Sequence, residues 1–306
     1  APTLVPCHAI FVSCRQRRPS NQARRRTSGT RCEPSILRLV EHTRRLFSEL
    51  LAPGDGSLAG DLDLGAFLIA RALDPDVDID AGRRQLDELA DATSSETAGE
   101  LAIALFGGAG HEPERHFSGN RDSYYDLENS LLNCVLERRV GIPITLAVLL
   151  VEVGRRLDIS LHGVGMPGHF LVGSTEGFID PFNGGVLLDA AGCQRLFEQL
   201  AGSGSVLPQN GLGRTPPAFI LKRMLFNVGA IAANQQHRRT LRAVRSLLAT
   251  FPDASHRDHV QHAYAAAEIG QFAEAARAGE LAVGTIPEEV RAKLEAQIAQ
   301  WRARLN

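Results

Sequence analysis

One histidine and one aspartate stand at the edges of short apolar segments in the middle of the sequence. His169 begins the run "HFLV", and Asp180 ends the run "FID". The Gly-rich polar stretch between them favours a β-hairpin, and a two-residue turn at Ser174 and Thr175 would place His169 directly opposite Asp180. A histidine oriented by an aspartate is the acid–base half of a nucleophilic hydrolase or acyltransferase site. The sequence therefore predicts a His–Asp pair on one face of a small sheet.

Such a site also needs a nucleophile, and two nearby side chains are candidates. Thr145 lies near the start of "PITLAVLLVEVGRRL", a predicted helix whose first residue is Pro143. Cys134 lies in "YYDLENSLLNCVLERR", predicted as one helix with Asp126 as its N-cap. Cys134 falls on a mostly apolar face of that helix, so we expect it to be buried and slow to react with thiol probes. A hydroxyl such as that of Thr145 attacks poorly unless a base activates it.

Other polar residues of this region could bind a ligand. Asn129 and Asn133 are predicted on one helical face, where they would either bind a peptide or amide group or hydrogen-bond loop backbone near the hairpin. Arg139, at the predicted C-terminus of that helix, suits either an acidic ligand or the last helix carbonyls. Gly168 is predicted to form the turn that delivers His169 to its strand.

Composition excludes several functional classes. The chain has 306 residues, 44% hydrophobic residues and a formal net charge of −2, so there is no overall bias toward nucleic acid or membranes. No apolar run is long enough to cross a bilayer, and we expect no membrane association. The five cysteines form no CxxC pair and no zinc-binding spacing, which predicts reduced thiols, no metal, no other cofactor and a cytoplasmic location.

The N-terminal segment differs from the rest of the chain. Residues 1–33 are rich in arginine, contain no acidic residue before Glu33, and lack helical periodicity. We interpret them as a disordered tail. A targeting peptide or a nucleic-acid-binding arm is the alternative, and this segment is the only part for which we consider a nucleic-acid partner.

The remainder of the chain divides into three predicted regions. Residues 34–110 have helical periodicity, with Ser94 and Ser95 placed to cap the last helix. Residues 111–205 contain the predicted central helix and three short apolar runs that suggest an antiparallel meander, with "GVLL" as a fourth strand. Residues 206–306 form the third region.

This last region is predicted to be helical and repetitive. Gly270, Phe272 and Ala275 form a Gly–x–Phe–x–x–Ala pattern, and Pro252 and Pro287 are 35 residues apart. This spacing is close to the period of about 34 residues in tetratricopeptide helical hairpins.

Three segments together resemble a known family. They are "YYDLENSLLNCVLERRVGIPITLAVLLVEVGRRL", "GVGMPGHFLV" and "FIDPFNGG". The chain resembles the SirB-one family of bacterial proteins, in which a transglutaminase-like core precedes tetratricopeptide repeats, and a eukaryotic F-box protein contains a related segment. The resemblance runs from about residue 60 to the C-terminus and is most specific over residues 120–190. It implies a predominantly helical α+β fold, with a papain-like core, a small antiparallel sheet and C-terminal helical hairpins.

The resemblance also assigns roles to individual residues. Active relatives have a cysteine at the start of the central helix, a histidine on one strand and an aspartate on the next. His169 and Asp180 match the last two, whereas Pro143 occupies the cysteine position, or Thr145 if the alignment shifts. Proline cannot act as a nucleophile, so we expect a non-catalytic interaction or regulatory protein with a protein or peptide partner. The alternative is a papain-like hydrolase or acyltransferase that uses Cys134 or Thr145.

Overall fold

Helices dominate the fold, and two small sheets lie in the middle of the chain. A computed structural model describes residues 33–52, 61–110, 112, 114–284 and 286–305. This part of the chain contains twelve α-helices and six short strands, which confirms the predicted helical α+β fold class. The predicted tail lies outside the described residues, except for Glu33. No helix in the described part is long and apolar enough to span a membrane.

Four helices precede the sheets, as the apolar periodicity predicts. In the second helix, eight of the twelve residues are buried among neighbouring elements. The four are α1 (Glu33–Leu50), α2 (Leu62–Leu73), α3 (Ile79–Asp91) and α4 (Ala98–Phe106).

The cap of α4 differs from the prediction. Thr97, and not Ser94 or Ser95, is the N-cap, and its hydroxyl accepts a hydrogen bond from the backbone N–H of Glu100. The Glu100 carboxylate in turn accepts from the backbone N–H of Thr97, which completes a capping box. The prediction of the two serines as caps was wrong, because both lie too far from the first helical turn to reach its free N–H groups.

The predicted single helix around Cys134 is broken into two. A 3₁₀ turn spans Leu127–Ser130, and α5 spans Leu132–Arg138. Asp126 caps the 3₁₀ turn as predicted, by accepting from the backbone N–H of Glu128. Leu131 is extended, with φ −111° and ψ 119°, and this residue interrupts the helical hydrogen bonds.

Six short strands form the two sheets. Strands β1 and β2 form a parallel pair that the sequence did not predict, because each strand has only two residues. The other four form an antiparallel sheet in sequential order, which confirms the predicted meander and its fourth strand. The strands are β1 (Ser118–Gly119), β2 (Val140–Gly141), β3 (His162–Val164), β4 (Leu171–Ser174), β5 (Gly177–Asp180) and β6 (Val186–Leu188).

The register of the central hairpin was predicted incorrectly. Val172 pairs with Ile179 and Ser174 with Gly177, so the turn lies one residue later than predicted. Gly177 has φ +131°, a conformation that favours glycine. The chain therefore leaves the turn at Gly177, and β5 begins at this residue. Moving the turn by one residue shifts the pairing by two, and a shift of two keeps each side chain on its face of the sheet.

The central helix begins where the proline pattern predicts. Helix α6 (Pro143–Arg156) has Pro143 at its first position, where the missing N–H breaks no helical hydrogen bond. Eleven of its fourteen residues are buried, since it packs against the helices on one side and the antiparallel sheet on the other. Its N-terminus is therefore held in place relative to the hairpin.

After the sheet, the chain is helical over Ala190–Ala201 and again, with short connections, from Pro217, whereas residues 202–216 form a non-helical segment. The main hydrophobic cluster runs from Phe47 to Phe251, and a second cluster runs from Ala263 to Trp301. The assignment of these helices to tetratricopeptide repeats stays a prediction. They are α7 (Ala190–Ala201), α8 (Pro217–Asn234), α9 (Arg238–Leu248), α10 (His256–Ala267), α11 (Phe272–Val283) and α12 (Glu288–Ala303).

Candidate functional site

The predicted histidine and aspartate are in contact. Nε2 of His169 lies 2.9 Å from Oδ1 of Asp180. Both residues are buried, with exposed fractions of 6% and 2%. Asp180 ends β5, and His169 precedes β4 on the same side of the sheet, so the pair forms despite the incorrect register.

Asp180 is held by more donors than the histidine alone. Its Oδ1 also accepts from the backbone N–H groups of Phe182 and Asn183, and its Oδ2 accepts from Nδ2 of Asn183 at 2.6 Å. Since all of these groups donate, the carboxylate acts only as an acceptor, and we assign a proton to Nε2 of His169. In the neutral imidazole this leaves Nδ1 unprotonated. A histidine that acts as a general base accepts the proton on its unprotonated nitrogen.

The loop before β4 fixes the imidazole. Gly168 has φ +78°, and the backbone N–H of His169 donates to the carbonyl oxygen of Met166 at 3.0 Å, so the predicted turn is present. Arg223, from α8, donates through Nη2 to the carbonyl oxygen of His169 at 2.8 Å. The ring of Phe182 packs edge-on against the imidazole, with centroids 6.0 Å apart. The loop before β4, the residue Phe182 after β5 and the distant helix α8 therefore position His169.

A cleft of 810 Å³ opens in front of the histidine. The N-terminus of α6 forms part of its wall, so Pro143 and His169 line the same cleft. None of the described lining residues is Cys, Ser or Thr. They are Arg121, Tyr124, Tyr125, Ile142, Pro143, Ile144, Gly168, His169, Phe170, Phe182, Asn183, Leu196, Gln199, Leu200, Arg223 and Asn227.

Thr145 is enclosed beneath this wall. It is fully buried, and its hydroxyl donates to the carbonyl oxygen of Asn129 at 2.6 Å and accepts from the backbone N–H of Ile142 at 3.2 Å. These bonds connect the start of α6 to the 3₁₀ turn at Leu127–Ser130. The hydroxyl therefore has a structural role, and it does not face His169 across the cleft.

Cys134 is half-buried, whereas the sequence predicted a buried side chain, and it packs against the edge of the main core. It does not line the cleft. Burial, with a smaller contribution from the carboxylate of Glu128, raises the pKa of its thiol to about 11. The buried thiol of Cys193 has a pKa raised to about 11 as well, mainly by burial.

Both thiols should consequently react slowly in the folded protein. We expect iodoacetamide at about pH 7 to modify Cys134 and Cys193 far more slowly than a free cysteine, since the thiolate is the reactive form. Time-resolved labelling with peptide mapping measures each rate, and labelling in denaturant is the control. Labelling of Cys134 at the rate of free cysteine would favour a nucleophilic role. Cys7, Cys14 and Cys32, expected to react quickly, lie outside the described residues.

The other predicted ligand-binding residues lie outside the cleft. Asn129 is fully buried, and its Nδ2 donates to the loop carbonyl oxygens of Ser123 and Tyr124. Asn133 lies on α5, beyond the break at Leu131, and the prediction of one shared helical face was wrong.

The side chain of Arg139 hydrogen-bonds the protein backbone. It adopts the left-handed conformation that ends α5, with φ 56°, and its Nη1 donates to the carbonyl oxygen of Arg115 at 2.9 Å. Its guanidinium lies 5.1 Å from the ring centroid of Phe117. It does not line the cleft.

Sequence reasoning missed several residues of the cleft. Asn183 orients Asp180 and bonds Arg121, and its position three residues after the aspartate is a local pattern that could have identified it. Arg223 has no such signal, because it reaches the site from α8. The described residues contain no group of three or more His, Cys, Asp or Glu side chains placed to bind one metal ion.

Comparison with known families agrees with this geometry. Residues 78–226 match the model of the transglutaminase-like superfamily. The match includes the start of α6, the His–Asp hairpin and Arg223. This part of the chain, just under half of it, is therefore similar to a transglutaminase-like domain.

Several curated proteins are similar to the chain. A UPF0162 protein of Xylella fastidiosa is 46% identical over 126 residues, which are 39% of this chain and 44% of that protein. A UPF0162 protein of Pseudomonas aeruginosa is 35% identical over 152 residues, 47% of this chain and 55% of that protein. The chain therefore aligns with about half the length of these relatives, which support a bacterial transglutaminase-like family.

A eukaryotic protein shares a shorter segment. The mouse F-box only protein 21 is 36% identical over 95 residues, which are 27% of this chain and 15% of that protein. No solved structure matches the chain.

Proposed function

We propose that this protein is a non-catalytic transglutaminase-like protein that binds a polypeptide in the cleft. The observation that carries the proposal is Pro143, which occupies the cleft wall near His169 where a nucleophile would stand. In this proposal the His–Asp pair shapes the cleft floor. The C-terminal helices act as tetratricopeptide-like repeats that add a second partner-binding surface.

The catalytic alternative has weaker support. It would use Cys134 or Thr145 with His169 and Asp180. The hydroxyl of Thr145 is already hydrogen-bonded on both sides, and the thiol of Cys134 has a raised pKa and lies away from the cleft. The intact His–Asp contact is the one observation that favours catalysis.

Turnover assays test the absence of catalysis. We expect a p-nitrophenyl ester and a glutamine-donor peptide with hydroxylamine to react at the same rate with the wild type and with His169→Ala. A Pro143→Cys variant should gain a thiol that iodoacetamide modifies faster than Cys134, because a helix N-terminus favours the thiolate. Wild-type turnover that His169→Ala abolishes would overturn the proposal.

A pair of leucine variants tests binding in the cleft. Leu200 lines the cleft and is 50% exposed, whereas Leu281, on α11, is 63% exposed and does not line the cleft. We expect Leu200→Trp to fill the cleft and weaken retention of peptides from a synthetic pool, measured by gel filtration and mass spectrometry. Leu281→Trp should retain them like the wild type. Equal retention by both variants would place peptide binding elsewhere.

A further inference from the structure

The cleft carries positive charge without an acidic residue to balance it. Its described lining contains Arg121 and Arg223, and no Asp or Glu. Asp180 lies beneath the histidine, where its oxygens already accept from His169, Phe182 and Asn183. An anionic group in the cleft would therefore meet cations and no opposing carboxylate.

Arg223 is the more buried of the two guanidinium groups. It donates to the backbone carbonyl oxygens of His169 and Met166 and stacks over the ring of Phe170, with 5.3 Å to the centroid. It forms no ion pair with any described carboxylate. Burial lowers the pKa of this guanidinium, which shows that its charge is poorly solvated. A partly desolvated cation without a counter-ion attracts anions strongly.

Arg121 supplies a second charge at the exposed rim. It hydrogen-bonds Oδ1 of Asn183 and lies 5.3 Å from the ring centroid of Phe182. It likewise forms no ion pair within the described part of the chain. The two contacts direct its guanidinium along the cleft wall, so one ligand can meet a buried cation and a rim cation together.

We infer that the ligand of this cleft is an acidic polypeptide segment whose carboxylates pair with Arg223 and Arg121. This inference rests on the proposed function and specifies its partner. Two cations at different depths match a segment with more than one acidic side chain better than a single terminal carboxylate. Charge-assisted bonds between guanidinium and carboxylate are among the strongest hydrogen bonds in proteins.

The uncharged lining favours a peptide over a nucleic acid. The amides of Gln199 and Asn227 offer donors and acceptors suited to a peptide backbone, and Leu196 and Leu200 offer apolar contact. The protein has a net charge of −2, whereas proteins that bind nucleic acid usually carry a strong positive patch.

Fluorescence anisotropy with labelled peptide pools tests the inference. One pool carries Glu and Asp at alternate positions, a second replaces them by Gln and Asn, and a third by Lys. We expect the full chain to bind the acidic pool about tenfold tighter than the amide pool. This difference in affinity corresponds to the free energy of one good charge-assisted hydrogen bond. Added salt should reduce this difference. An oligothymidylate competitor should displace the acidic pool poorly.

Arginine variants separate the cleft from general surface charge. Arg121→Gln should weaken binding of the acidic pool about fivefold to tenfold and weaken binding of the amide pool much less. Arg223→Gln should weaken binding of the acidic pool further. If Arg223→Gln unfolds, the Arg121→Gln variant still tests the inference, because Arg121 is exposed. Arg195→Gln, on the exposed side of α7 and outside the cleft lining, is the control for net charge.

The outcomes distinguish this inference from the proposed function. Equal binding of acidic and amide pools, or equal displacement by the oligonucleotide, overturns the acidic ligand while a binding cleft stands. An Arg121→Gln variant that binds the acidic pool like the wild type also overturns it. Turnover that depends on His169, or no retention of any peptide pool, counts instead against the proposed function.

Discussion

Replacement of Arg156 by methionine is expected to lower the free energy of unfolding by about 3–5 kcal/mol, the cost of removing one partner from a buried ion pair. The guanidinium of Arg156 donates to Asp63 at 2.7 Å, Glu152 at 3.0 Å and Asp87 at 2.6 Å. The carboxylates of Asp63 and Glu152 are fully buried. Arg83 would remain beside Asp63 at 3.3 Å, and Arg155 beside Glu152 at 2.9 Å. Asp63 would lose its shortest ion pair, and Glu152 would lose one of its two arginine partners.

The deficit of this variant should shrink as the pH falls. Burial raises the pKa of Glu152, the charge of Asp63 raises it further, and Arg155 and Arg156 lower it. Loss of Arg156 therefore raises the pKa of Glu152 in the folded state above its wild-type value. A carboxyl whose folded-state pKa is raised loses stabilisation as the pH rises through that pKa, and regains it on protonation. The variant should consequently lose more stability than the wild type as the pH rises from the usual glutamate pKa of about 4.3 toward neutral.

Urea unfolding of both proteins across this pH range measures the difference. Arg302→Met is the matched control, because Arg302 forms an exposed pair with Glu280 at 2.7 Å. Such pairs contribute about 0–1 kcal/mol. If Arg156→Met lowers the free energy of unfolding no more than Arg302→Met does, the buried carboxylates have sufficient hydrogen-bond partners without Arg156.

Variants of the His–Asp pair should lose stability in a different pattern. Replacement of Asp180 by alanine is expected to cost about 3–5 kcal/mol, because it leaves His169, two backbone N–H groups and the Asn183 amide without their acceptor. Replacement of His169 by alanine should cost about 1–3 kcal/mol, since Asp180 keeps its other donors. The double variant should cost about as much as Asp180→Ala alone, because the two residues share one interaction.

Thermal and urea melts of the two single variants and the double variant test this pattern. Asp180→Asn, which keeps an acceptor oxygen, should fall between the wild type and Asp180→Ala. A His169→Ala protein that is as stable as the wild type, or more stable, would point to a catalytic histidine. Active sites often retain residues that reduce stability.

Much of the local structure follows from the sequence alone. Apolar periodicity predicted α2, α3 and α6, because each places one face or its whole surface in a core. Pro143 predicted the start of α6, since a first-position proline loses no hydrogen bond. The contact between His169 and Asp180 survived an incorrect register because strands alternate with a period of two.

The tertiary structure alone decided the rest. Leu131 is extended because the chain must turn between the 3₁₀ segment and α5, and no local pattern marks that break. Arg223 reaches the carbonyl oxygen of His169 only because α8 packs beside the hairpin. The cleft exists because α6, the hairpin, α7 and α8 meet there, so its unbalanced charge is a property of packing. Sequence spacing constrains neighbours along one element, whereas contacts between distant elements depend on how their buried faces fit together.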